Sequence, residues 1–232
     1  MHTAPDLPPD WAARPTAARR AALKAAGQLI RSLTHLSAQG QQVVQRLIDG
    51  RPFTEWEHFP DDDVRDNRHA SQYYYHAHAG EHREFVEHGH LHLFVHADTL
   101  GLGRPPSTRS PAPAHLVAIS MNAQGMPIGF FTVNRWVTKG PWLKAADCLR
   151  GLDQFQIGRR HGAPEVNAFL RALLTLYRVE LAELVQARDA ELIRRGAGRD
   201  RRHVFADPAI EVLSFQPIDL MRDIEALEAC TA

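Results

Sequence analysis

One run constrains this chain more than any other: Glu87-His88-Gly89-His90-Leu91-His92-Leu93-Phe94-Val95-His96. Its even positions carry His, His, His, Phe and His, and the odd positions between them carry Gly, Leu, Leu and Val. Successive side chains of a β-strand point to opposite faces, so a period of two is a strand signature. The pattern predicts a strand with Leu91, Leu93 and Val95 against a core. The histidines then share the other face.

The run lies in a histidine-dense region. Nine of the 14 histidines fall between positions 58 and 96: His58, His69, His76, His78, His82, His88, His90, His92 and His96. Upstream, Tyr73-Tyr74-Tyr75-His76-Ala77-His78 has the same parity, with Tyr74, His76 and His78 on one face. The link from Ala79 to Glu87 contains Gly80 and several charges, which predicts a hairpin loop. If paired positions sum to an even number, such as His76 with His90 or His78 with His88, the imidazoles converge on one face. An odd register would bury His76 and His78 among the leucines without partners, at a cost. The even register is therefore expected. With it comes a patch of His76, His78, His88, His90, His92 and His96, left open or partly closed by the 53–69 segment and the 99–114 loop.

Around this hairpin the chain reads as α+β. Residues 1–15 are Pro-rich and predict a flexible arm. Residues 16–232 predict a single domain with the His-rich hairpin at 71–98. Ala22, Leu23, Ala26, Leu29, Ile30 and Leu33 recur at helical spacing, and a second helix follows from about Ser37 to the stop at Gly50 and Pro52. Phe53–Asp63, aromatic and acidic, reads as an ordered loop, either with His58 and the aspartates at the patch edge or with surface carboxylates around a buried Trp56 and Phe59. His115–Met121 and Met126–Val137 form a second hairpin, and apolar residues on both faces of its second strand place that strand inside the sheet. Trp142–Phe155 predicts a short helix. A single long helix runs from Pro164 to about Arg195. Ile210–Phe215 is a last strand, and Leu220, Ile224 and Leu227 mark a C-terminal helix. The expectation is a largely antiparallel sheet of four to five strands, two hairpins plus the C-terminal strand. Helices from both ends cover its Leu91/Leu93 face.

With 27 basic and 27 acidic residues the formal net charge is zero. No global field favours nucleic acid, and the basic face of Arg19, Arg20, Lys24 and Arg31 reads as solvated. Neither a secretory h-region nor an apolar run of membrane-spanning length is visible, so a soluble, cytoplasmic protein is expected, with no membrane partner. Cys148 and Cys230 suggest neither a disulfide framework nor a zinc ribbon. Gly-x-Ser-x-Gly, Walker and His-Glu-x-x-His motifs are absent. The composition leaves the oligomeric state open.

The chemistry rests on the imidazoles. Two histidines in a strand His-x-His share a face at about 6.5–7 Å Cα spacing, so both can reach one ion. Two such pairs on adjacent strands supply three or four nitrogens for a transition metal: Zn, Fe, Cu or Ni. The ligand candidates are His76, His78, His88, His90 and His92. Glu81, Glu84, Glu87 and Asp98 offer carboxylates, and Glu87 is the candidate to orient a ligand imidazole. Tyr74 and Phe94 are expected to line the site, with a small molecule as substrate if it is a metalloenzyme. A non-catalytic, structural or pH-responsive histidine face is the plain alternative.

Three resemblances attach to these runs, one of them only partial. His88-Gly89-His90-Leu91-His92-Leu93-Phe94 resembles the histidine-triad signature, His-φ-His-φ-His-φ-φ with φ apolar, and departs from it at Gly89. That resemblance implies nucleotidyl or phosphoryl transfer or hydrolysis, with His90 as nucleophile and His88 and His92 holding the phosphate. The cupin pattern is matched only at His90 and His92, because His96 stands where a carboxylate is expected. Over a longer stretch, from about Phe53 to the C-terminus, the Tyr73–His78 and Glu87–Phe94 segments look like the hallmark of a bacterial domain-of-unknown-function family. This implies one chain-length domain and bacterial origin, and no mechanism.

Overall fold

Among the described residues, six strands form one antiparallel sheet in simple sequence order: β1 (Phe59–Asp66), β2 (Ser71–His76), β3 (Gly89–Val95), β4 (Ala114–Met121), β5 (Pro127–Val133) and β6 (Val212–Pro217). The structure is a computed structural model and describes residues 7–78, 86–96, 101, 112–198 and 200–231. The architecture is α+β as expected, with six strands in place of four to five. The added strand is β1, inside the segment expected to be a loop. Its alternation is hidden because Pro60–Asp63 bulge out of the ladder: Phe59 pairs with Tyr75, and Val64 already pairs with Tyr73.

The register between β2 and β3 is the even one. His76 faces His90, Tyr74 faces His92, and Gln72 faces Phe94. Leu91, Leu93 and Val95 therefore share the opposite face with Tyr73, Tyr75, Ile119 and Phe130, all fully buried. Helices α1 (Thr16–Ala38), α2 (Val43–Ile48), α4 (Ala145–Gln154), α5 (Pro164–Leu176), α6 (Arg178–Arg195) and α8 (Leu220–Thr231) close over that face, while the short α3 (Arg135–Thr138) and α7 (Arg201–Ala206) add nothing to its apolar cluster. Leu29 and Leu36 of α1, Phe169 and Leu173 of α5, Leu184 of α6 and Leu227 of α8 join the sheet residues in one apolar cluster. Each such side chain contributes roughly 1.5–3 kcal/mol on burial. A smaller cluster of Ala118, Phe131 and Val133 lies on the histidine face, beside Val137, Val212 and Phe215. β5 lies between β4 and β6 and is apolar on both faces for that reason.

The long helix expected from Pro164 is two. It breaks at Tyr177, whose φ of −96° and ψ of 27° leave the helical range. Neither Gly nor Pro marks the break. Tertiary packing makes it: Tyr177 is fully buried and its hydroxyl donates to Asp223 Oδ2 of α8 at 2.8 Å. The segment read as a flexible arm carries Trp11, which is 2% exposed and donates from Nε1 to the Asp223 carbonyl at 3.0 Å. Arg14 nearby pairs with Glu180 of α6. Burial outweighs that partner and pushes the Glu180 carboxyl up. Among the described residues, no helix is long and apolar enough to cross a membrane.

Asp66 ties the β1–β2 turn to the loop before α5. Its Oδ1 accepts from the backbone amides of Arg68 at 2.9 Å and His69 at 3.2 Å. Its Oδ2 accepts from His69 Nδ1 at 2.6 Å and the Gly158 amide at 2.7 Å. Burial alone would raise this carboxyl, but the hydrogen bonds, that of His69 first, hold it down to about 2 from an ordinary 3.8. A depressed folded-state value means stabilisation that is complete above about pH 4 and is lost as pH falls through about 2. Asp66→Asn should therefore melt below wild type near neutrality, and the gap should close below about pH 4. Thermal melts across this range check it; a gap that ignores pH would rule out the charge as its cause.

Candidate metal centre

The β2–β3 ladder sets the first pair. His76 and His90 are direct cross-strand partners, with Nε2 atoms 2.7 Å apart. His78, two residues past the end of β2, brings its ring to 5.4 Å from His76 and 5.5 Å from His90, centroid to centroid. The three residues can each offer a nitrogen within 4.8 Å of the others. Behind His90 stands a carboxylate: Nδ1 donates to Glu87 Oε1 at 2.7 Å, and Glu87 Oε2 accepts from Ser120 Oγ at 2.5 Å. Ser120 is the β4 partner of His90, so the sheet positions both ends of this relay. A carboxylate only accepts, which assigns the proton to Nδ1 of His90 and turns the Nε2 lone pair toward His76 and His78.

Of the two outcomes expected from the sequence, an open face or one partly closed, the structure has the second: the 53–69 segment lays Trp56 on His78 and His58 on Tyr74, and His76 and His78 stay partly exposed. His90 and His92 are each 1% exposed, and Phe131 packs edge-on against His90 at 5.1 Å. His92 shares the face, with its ring 4.6 Å from His90 and 5.1 Å from His76. Its Nδ1 lies 2.9 Å from Nε2 of His115, so that edge turns away from the three-histidine group. Tyr74 lies between His58 and Phe94, with ring separations of 3.6 and 5.5 Å, and meets His76 edge-on at 5.4 Å. Burial, then the Asp63 carboxylate, keep its phenol above the usual range. Tyr74 and Phe94 thus border the histidines on the His92 side.

His88 is not brought to the group. β2 ends at His76, so the pairing of His78 with His88 does not form. The His88 amide donates to the Met121 carbonyl, and its Nδ1 shares a 2.6 Å hydrogen bond with the Tyr75 hydroxyl on the core side. Phe53 covers the ring at 5.3 Å. His96 follows β3, with its amide donating to Ala70. His82, Glu81, Glu84, Asp98 and most of the 99–114 loop lie outside the described residues.

Two further histidines belong to this face. His58 donates from Nδ1 to Asp63 Oδ1 at 2.9 Å, and Gln72 Nε2 donates to Asp63 Oδ2 at 2.6 Å. His58 stacks flat on Tyr74 and stands edge-on to His76 at 5.7 Å. The bulge in β1 makes this possible, with Asp63 in the left-handed region at φ 52°. His115 arrives by another bulge. Alternation would place it with Val117 and Ile119 on the core face, but the β3–β4 register shifts between Leu93 and Phe94 and pairs Phe94 with His115. Burial, then the Arg188 charge, push the His115 imidazole down to about 3, so it is neutral at physiological pH.

Residues 23–218 match the family model described as Domain of unknown function (DUF6969). The chain belongs to this family. The DUF6969 match spans the whole sheet and every histidine of the group, and both runs that carried the sequence resemblance lie inside it. It begins upstream of Phe53, within α1, and stops short of α8. No curated protein and no solved structure matches the chain.

Proposed function

We propose that this DUF6969 protein binds one transition-metal ion through His76, His78 and His90. The observation that carries this reading is the convergence of three imidazoles, one of them aimed and made more basic by a buried carboxylate. Nitrogens on one tetrahedral ion, each at about 2.0–2.1 Å, lie about 3.3 Å apart. The His76–His90 pair would open by roughly half an ångström to admit it, a side-chain adjustment. An all-imidazole set suits Zn, Cu, Fe or Ni better than Mg or Ca. Neither Cys148, buried in the core cluster, nor Cys230 belongs to the group. Three ligands leave a fourth position for water or a small molecule, the arrangement of a metalloenzyme rather than a closed structural site.

A histidine-triad mechanism gains less support. It needs His88, His90 and His92 around a phosphate, and His88 is turned to Tyr75 while Nε2 of His90 abuts His76. Elemental analysis of tag-free protein tests the metal reading. Wild type should carry close to one equivalent, and His76→Ala/His90→Ala should carry none. Wild type that stays metal-free after reconstitution with zinc, iron, copper and nickel salts would reject it.

A further inference from the structure

The ladder between β2 and β3 fixes His76 and His90, but β2 ends before His78. We infer that Trp56 is the positioning residue for His78 and thereby sets how tightly the three-histidine group holds an ion; this rests on the metal reading above. Trp56 grips the end of the strand twice. Its amide donates to the Ala77 carbonyl at 2.8 Å, and its indole stacks on the His78 ring at 4.1 Å with only 10° between planes. An imidazole coordinates in its own plane, so a partner lying flat on one face fixes the ring's orientation and leaves the in-plane nitrogens available.

Two features of Trp56 argue against incidental packing. Its φ is 69°, in the left-handed region where a bulky side chain is a genuine outlier, and such strain gathers at ligand-holding sites. It is also 66% exposed, so burial of the indole does not repay that strain. The same short segment lays Phe53 on His88 and His58 on Tyr74, which makes residues 53–58 a strap of rings across the histidine hairpin. Trp56 is the member of that strap that meets one of the three proposed ligands face to face.

The test is zinc affinity, measured by competition with a chromophoric chelator. Zinc is the probe because it has no geometric preference of its own and binds imidazole sites built for neighbouring metals. Trp56→Ala should bind one equivalent about 10- to 100-fold more weakly, the usual cost of losing a residue that orients a ligand. Trp56→Gly suits the left-handed backbone, so it should melt at or above wild type and still lose the same affinity. Trp56→Phe, which keeps a stacking ring, should stay close to wild type. If wild type binds zinc and the Gly variant matches it, this inference alone falls. If wild type takes up no zinc, the metal reading and the inference fall together.

Discussion

Replacing Glu87 with glutamine is expected to weaken metal binding about 10- to 100-fold while leaving the fold intact. The carboxylate is buried between His90 Nδ1 and Ser120 Oγ and is not a member of the three-histidine group. Its effect on an ion runs through His90: it fixes the tautomer, aims Nε2 and raises the basicity of the ring. Glutamine keeps the shape and one acceptor but loses the charge. Removing a buried charge also removes its desolvation cost, so the metal-free variant should melt close to wild type. His90→Ala, which removes the nitrogen itself, should abolish binding. Affinities from chelator competition, read beside metal-free melting temperatures, separate these effects. An unchanged affinity in Glu87→Gln would mean that the Glu87–His90 bond is only a packing contact.

Gly89→Ala should destabilise the protein by about 1–3 kcal/mol, toward the upper end, and should weaken metal binding at the same time. A Cβ at this position would meet the Tyr75 hydroxyl and lie 2.6 Å from the His76 carbonyl. The Tyr75 ring is fully buried, and the His76 carbonyl is main chain beside the pair that begins the metal group. Relief therefore requires β2 and β3 to part where His76 meets His90. Tyr75→Phe in the Gly89→Ala background removes the hydroxyl but not the carbonyl clash, so it should restore only part of the loss. Urea unfolding and zinc titration on the same samples check both halves. Stability within a few tenths of wild type would show that the strands can part at little cost. This crowding also accounts for the glycine that breaks the histidine-triad pattern: the strand pair has no room there for an apolar side chain.

The hairpin was legible because period-two alternation encodes both faces of a strand at once. Leu91, Leu93 and Val95 had to face a core, and the register that spared His76 from that core is the one observed. What alternation cannot encode is its own interruption. The bulge in β1 hid a strand and brought Asp63 and His58 to the histidine face, and the bulge in β4 moved His115 off the core face. The same limit applies at strand ends. His88 has the parity of a ligand, but it precedes β3, and a hydrogen bond to Tyr75 draws its imidazole away. The break at Tyr177 belongs to this class too, since it is set by Asp223, 46 residues further on, and not by a local breaker. Partial closure by the 53–69 segment was legible, but the packing of Phe131 on His90 was not, because that ring comes from another hairpin.

X-ray absorption on metal-loaded protein tests most directly the claim that the histidine hairpin assembles a three-imidazole site. The predicted shell holds about three imidazole nitrogens at about 2.0–2.1 Å and no sulfur, with the outer-ring scattering of imidazole reduced in His76→Ala. A shell dominated by sulfur or carboxylate oxygen, or an imidazole count indifferent to His76, would contradict it.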